Sequence, residues 1–134
     1  MAASGPSSAY SERFVDHLTR PRGQGTLPLA THRGEAEDPV CGDRLSLDLR
    51  VEGGIVREAR FRVLGCPGSI AVGSALAHLL PGRKASPDAV PAADLEAEVG
   101  GVPPAKRHAL RLATEALAAA LSGPTGQRPA PPAG

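Results

Sequence analysis

The residues of this chain best suited to chemistry are two cysteines, each in a glycine-framed loop. Cys41 opens Cys41-Gly42-Asp43, and Cys66 closes Val63-Leu64-Gly65-Cys66 ahead of Pro67-Gly68-Ser69. Asp43 stands two residues past the first thiol, and His108 opens a later helical pattern. Thiolates are soft, charged donors for zinc and iron. Two thiolates, one carboxylate and one imidazole satisfy tetrahedral coordination, and histidine can replace cysteine on an iron–sulfur cluster. Cys41, Asp43, Cys66 and His108 are therefore the candidate metal ligands.

Spacing alone leaves a second reading, of similar weight for the two cysteines. There is no CxxC pair. Cys41 and Cys66 also fit two small buried hydrophobes at strand ends. Asp43 fits a turn residue or backbone cap, and His108 an exposed first-turn histidine beside Lys106 and Arg107. His17, His32 and His78 read as surface or structural residues.

The elements between the cysteines bring them together. Leu45, Leu47, Leu49 and Val51 alternate with Ser46, Asp48 and Arg50, and Ala59, Phe61 and Val63 alternate with Glu58, Arg60 and Arg62. Period-two patterns joined by Gly53-Gly54 predict an antiparallel hairpin whose far end returns to its start. After Cys66 the pattern becomes a mostly buried helix over 68–80, stopped by Pro81-Gly82. The free N–H groups at its start favour a thiolate at Cys66. Gly42, Gly65 and Gly68 are expected to let the backbone approach closely. A first helix, capped by Ser8 or Ser11, runs to Thr19 with Phe14, Val15 and Leu18 as its stripe. Residues 24–40 are expected to be irregular, with at most a short strand near Leu27–Thr31. A short helix is predicted over 92–99. The last helix has Pro103-Pro104 in its first turn and runs to Leu121, with Leu110, Ala113 and Ala120 facing inward.

The whole chain has 134 residues, a formal net charge of +1 and 2% aromatic residues. That is one domain's worth of chain, expected over 8–122, with disordered ends at 1–7 and in the Pro/Gly-rich 123–134. The charge balance argues against nucleic acid and anionic membranes as partners, and no apolar run reaches the ~18–20 residues of a membrane span. The start of the chain lacks a secretory pattern, so a cytoplasmic location is expected. There, two cysteines favour thiolates or metal ligands over a structural disulfide.

These motifs resemble the IscU / NifU N-terminal type of iron–sulfur cluster assembly scaffold. The likeness runs from Tyr10-Ser11-Glu12-Arg13 and Pro21-Arg22-Gly23 through Asp38-Pro39-Val40-Cys41-Gly42-Asp43. It continues in Gly65-Cys66 with Ser69-Ile70-Ala71, and in Val102-Pro103-Pro104-Ala105-Lys106-Arg107-His108. The resemblance implies an α+β fold, a three-stranded antiparallel sheet packed with helices, with Cys41, Asp43, Cys66 and His108 at one end. It implies a scaffold or carrier, not an enzyme, that holds a transient 2Fe-2S cluster or a zinc or iron ion. It also implies a cysteine desulfurase as sulfur donor, recipient apo iron–sulfur proteins, and a DnaK-type chaperone with a J-domain partner contacting Pro103, Pro104 and Lys106. One position departs from the family: its third cysteine, directly after the histidine, is Ala109 here. Two alternatives therefore stand beside the scaffold: a zinc-bound sulfur acceptor serving a desulfurase, and a degenerate structural zinc protein. The chain lacks the insertion of the SufU branch, so its length favours the IscU-like one.

Overall fold

The structure, a computed structural model, describes residues 11–121. The expectations for 1–7, for Ser8 as a cap and for 123–134 lie outside the described residues. Helix α1 spans Glu12–Thr19, and Ser11 caps it by accepting the Phe14 N–H at 3.0 Å. The Ser11 hydroxyl also donates to the Val99 carbonyl. The apolar stripe differs from the expected one. Phe14 is fully buried and Leu18 packs against the core, but Val15 is exposed and His17 turns inward. Positions 14, 17 and 18 share a helix face at spacings of three and four, whereas 15 lies a quarter-turn round.

Three antiparallel strands follow in the order β1 (His32–Glu37), β2 (Arg44–Glu52) and β3 (Ile55–Leu64). The strand before the hairpin lies at 32–37, not at 27–31. The reason is visible in its residues: His-Arg-Gly-Glu-Ala-Glu has no apolar alternation to reveal it, and pairing to β2 from His32↔Leu49 to Glu37↔Arg44 makes it a strand. The hairpin turns through Gly53 and Gly54 at φ +62° and +78°, as a two-residue primed turn requires. Leu45, Leu47, Leu49, Ala59 and Phe61 face the helices and are buried. Asp48 breaks the expected alternation by also being buried. On the opposite face of the sheet, the Leu27 N–H of the 24–31 segment donates to Asp48 Oδ2 at 3.0 Å, and Arg62 and Arg33 lie 3.3 and 3.6 Å from the carboxylate. The outer edge of β3 is covered too: Phe61 pairs with Gly23 and Gly25, and Val56 with Arg83 and Gly82.

Helices α2 (Pro67–Leu79), α3 (Ala92–Glu98) and α4 (His108–Leu121) complete the fold. From Gly68 to Ala77 only Ile70 of α2 is not buried, because α1, β3 and α4 all pack on this small-residue helix. The Pro103-Pro104 pair lies outside the last helix. Pro103 is extended (φ −58°, ψ 148°), a single 3-10 turn spans Pro104–Lys106, and α4 begins at His108. A residue preceding proline is driven from the helical region, so the first proline of the pair cannot start the helix. Among the described residues no helix is long and apolar enough to cross a membrane.

Gly73 of α2 lets the helix settle on the Phe61 ring, where a Cβ would lie 2.6 Å from the ring edge. Gly34 does the same for α4 on β1: a Cβ there would fall on the Ala120 backbone nitrogen and 2.6 Å from the Ala116 carbonyl oxygen. Backbone cannot give way as a side chain can. Gly34→Ala is expected to cost about 1–3 kcal/mol, the usual range for overpacking. It should appear as a lower urea midpoint at unchanged slope.

Candidate metal centre

The loop joining β1 to β2 is built on Asp38. Its Oδ1 accepts the N–H of Val40 at 2.9 Å and of Cys41 at 3.4 Å, and its backbone carbonyl accepts the Gly42 N–H at 2.7 Å. Asp38 N–H in turn donates to the Asp43 carbonyl at 2.8 Å. This tight turn holds Cys41 exposed at the tip and buries Asp43 beneath it. Gly42 serves the turn, with φ +80° and open space where a Cβ would be, so the close approach expected of it does not occur there.

Close approach occurs at Gly65 instead. A Cβ on Gly65 would stand 2.5 Å from Asp43 Cγ, so the carboxylate rests directly on the backbone ahead of Cys66. Asp43 Oδ2 accepts the Cys66 N–H at 3.3 Å and the Ser69 hydroxyl at 2.9 Å, and lies 3.5 Å from His108 Nε2. Cys66 is the residue preceding α2, with its Sγ 3.8 Å from both His108 Nε2 and Ser69 Oγ. Over Gly68, in the first turn of α2, lies the aliphatic stem of Lys106, 3.2–3.4 Å from where a Cβ would sit.

The four expected ligands meet in two overlapping groups. Asp43, Cys66 and His108 have ligand atoms within 4.8 Å of one another, and so do Asp38, Cys41 and His108. The imidazole is common to both. Ala109 next to it is fully buried in the core and offers no donor. Asp38 and Ser69 were missed as contributors. The Asp-Pro dipeptide ahead of Cys41 was a turn signal, but nothing local indicated that Asp38 would be buried beside a thiol.

Electrostatics sort the donors. Burial works to raise the Asp43 carboxyl, but hydrogen bonds from Cys66, Ser69 and His108 outweigh it and hold the group below the usual range. Asp38 is also held low, first by the Val40 N–H, against the opposing effect of burial. The Cys41 thiol is pushed up, by loss of water and then by the negative fields of Asp38, Asp43 and Cys66, which Lys106 partly offsets. Of the remaining histidines, His17 is structural: Nδ1 lies 2.6 Å from Ser74 Oγ and Nε2 2.9 Å from Glu98, joining α1, α2 and α3. His78 is exposed 3.9 Å from Glu98, and His32 opens β1.

The NifU-like N terminal domain matches residues 9–128. The chain belongs to this family. It is 40% identical over 111 residues to a bifunctional NifU/MnmA protein of Rubrobacter xylanophilus, covering 81% of this chain but 23% of that protein. It is 32% identical over 127 residues to the iron-sulfur cluster assembly scaffold protein IscU of Escherichia coli, covering 91% and 98% of the two chains. The family fold is matched by an N-terminal NifU-like protein from Brucella abortus, with a TM-score of 0.68 at 18% identity over 89% and 96% of the chains. The three-stranded α+β architecture expected from the resemblance is the one observed.

The raised Cys41 thiol gives a direct test of the site's electrostatics. In the metal-free protein carrying Cys66→Ala, the alkylation rate of Cys41 should rise with pH through a midpoint above the ordinary ~8.5 of a cysteine. Asp38→Asn keeps the Oδ1 acceptor of the turn but removes a negative charge, and should move that midpoint down.

Proposed function

We propose that this chain is an iron–sulfur cluster assembly scaffold whose cargo is held by Cys41, Asp43, Cys66 and His108. The observation that carries the reading is the convergence of Asp43, Cys66 and His108 at one end of the sheet, in a member of the NifU-like N-terminal family. The donors fit such cargo. A thiolate is soft enough for iron, the carboxylate is ionised at neutral pH, and the imidazole stands between the cysteine loops.

The mechanism follows from how each donor is mounted. The Cys66 thiol sits immediately ahead of α2, 3.8 Å from both His108 Nε2 and Ser69 Oγ. Ser69 and the Cys66 N–H fix the Asp43 carboxylate before cargo arrives, so little ordering remains on binding. Cys41, exposed at its loop tip, is the thiol a cysteine desulfurase can reach, since Ala109 cannot accept sulfur. With two thiolates where the family pattern has three, a 2Fe-2S cluster is held loosely enough to pass to recipient apo proteins. Release has a handle in Pro103, Pro104 and Lys106, proposed as the contact for a DnaK-type chaperone and its J-domain partner. The Lys106 stem covers Gly68 beside Cys66, and His108 follows two residues on, so a pull on this segment reaches both donors. Such work belongs to the cytoplasm.

Strictly anaerobic reconstitution with ferrous iron, cysteine, a desulfurase and dithiothreitol as the reductant should produce sulfur-to-iron charge-transfer absorption with matching iron and acid-labile sulfide. Cys66→Ala should abolish it. Zinc alone, without sulfide under any condition, would overturn the scaffold reading. A second variant probes the mounting of Asp43: Gly65→Ala should displace the carboxylate and weaken Zn2+ binding by about 10–100-fold, as loss of ligand orientation does elsewhere. Chelator competition measures it, with far-UV circular dichroism reporting an intact fold.

A further inference from the structure

We propose that Asp38, Cys41 and His108 form a second metal position beside the one framed by Asp43, Cys66 and His108, so that a divalent cation can stand on either side of one shared imidazole. This rests on the reading of the centre as an iron-handling site and adds Asp38 to its donors.

The geometry points there from several directions. The ligand atoms of Asp38, Cys41 and His108 lie within 4.8 Å of one another, as those of the first group do. Asp38 is only 3% exposed, an unusual place for a carboxylate without a strong partner. One oxygen is committed to the turn, through Val40 and Cys41 N–H. The other, Oδ2, faces the Arg111 guanidinium at 4.0 Å, beyond hydrogen-bond reach. Arg111 is exposed and can withdraw into water, leaving Oδ2 to a metal. Because the same turn fixes the Cys41 N–H, carboxylate and thiol are offered from one rigid piece of backbone.

The donor chemistry suits ferrous iron, zinc or cobalt: one thiolate, one carboxylate and one imidazole leave a fourth position for water. It also supplies what Ala109 cannot. A two-iron cargo needs protein donors on both metals, and this chain then offers a thiolate and a carboxylate to each, Cys66 with Asp43 and Cys41 with Asp38.

Cobalt(II) titration of single-cysteine variants tests the idea, because each variant isolates one position. Cys66→Ala should bind Co2+ with a thiolate-to-cobalt charge-transfer band, and adding Asp38→Asn should weaken that binding about tenfold or more. Cys41→Ala should bind Co2+ through Cys66, and there Asp38→Asn should change nothing. Asn retains the Oδ1 acceptor that shapes the turn. Independently of any Asp38 substitution, the carboxyl carbon resonance of Asp38 should shift when Zn2+ is added to Cys66→Ala. The second position is overturned if Cys66→Ala binds no Co2+ while Cys41→Ala does, if Asp38→Asn acts equally in both backgrounds, or if the Asp38 resonance stays still. Absence of Co2+ binding by the unaltered chain and both variants would instead sink the metal centre as a whole.

Discussion

The Asp43 carboxylate ties together the end of this protein that carries the candidate metal centre. It stands immediately ahead of β2, lies against the bare backbone of Gly65, and is gripped by the Cys66 N–H and the Ser69 hydroxyl. Those contacts join the β1–β2 loop to the start of α2, two segments that carry the two thiols. A buried carboxylate is costly unless it is hydrogen-bonded. Here the hydrogen bonds come from the groups that flank the second cysteine, so satisfying the charge and positioning the thiol are one event.

His108 reaches this end by a different route. Pro103 and Pro104 hold the incoming chain extended and then tightly turned, which sets where α4 can begin. Arg107 is anchored to Glu96 of α3 by paired bonds of 2.8 and 3.2 Å, and Lys106 lies over Gly68. The imidazole is thus delivered by a segment whose neighbours are α2 and α3 rather than the sheet. Donors from the sheet side and from the helix side meet only at the open end of the domain.

Much of this was legible in the residues themselves. The β2–β3 hairpin declared itself by strict alternation around Gly53-Gly54, and the buried α2 by its run of small apolar residues. The ordered motifs around Cys41, Cys66 and His108 carried the family. What stayed hidden depended on distant partners. Strand β1 is polar and exists because β2 pairs with it and α4 lies on Gly34. His17 points inward because Ser74 and Glu98, far along the chain, are there to meet it. Asp48 is buried by a loop whose path no local pattern announced. Asp38 stood out in the sequence only as the first residue of the Cys41 motif, and the folded loop reveals that it stands beside Cys41 and His108.

The seat of α4 on Gly34 has a mechanical meaning for the far end of that helix. Ala116 and Ala120 touch the β1 backbone, while His108 stands some twelve residues earlier, roughly 18 Å away along a rigid rod. The glycine is a fulcrum. A side chain at this point tilts the lever, and the tilt is read out as a displaced imidazole between the two cysteine loops. The geometry of the candidate centre can therefore be tuned from a strand that holds none of its candidate ligands.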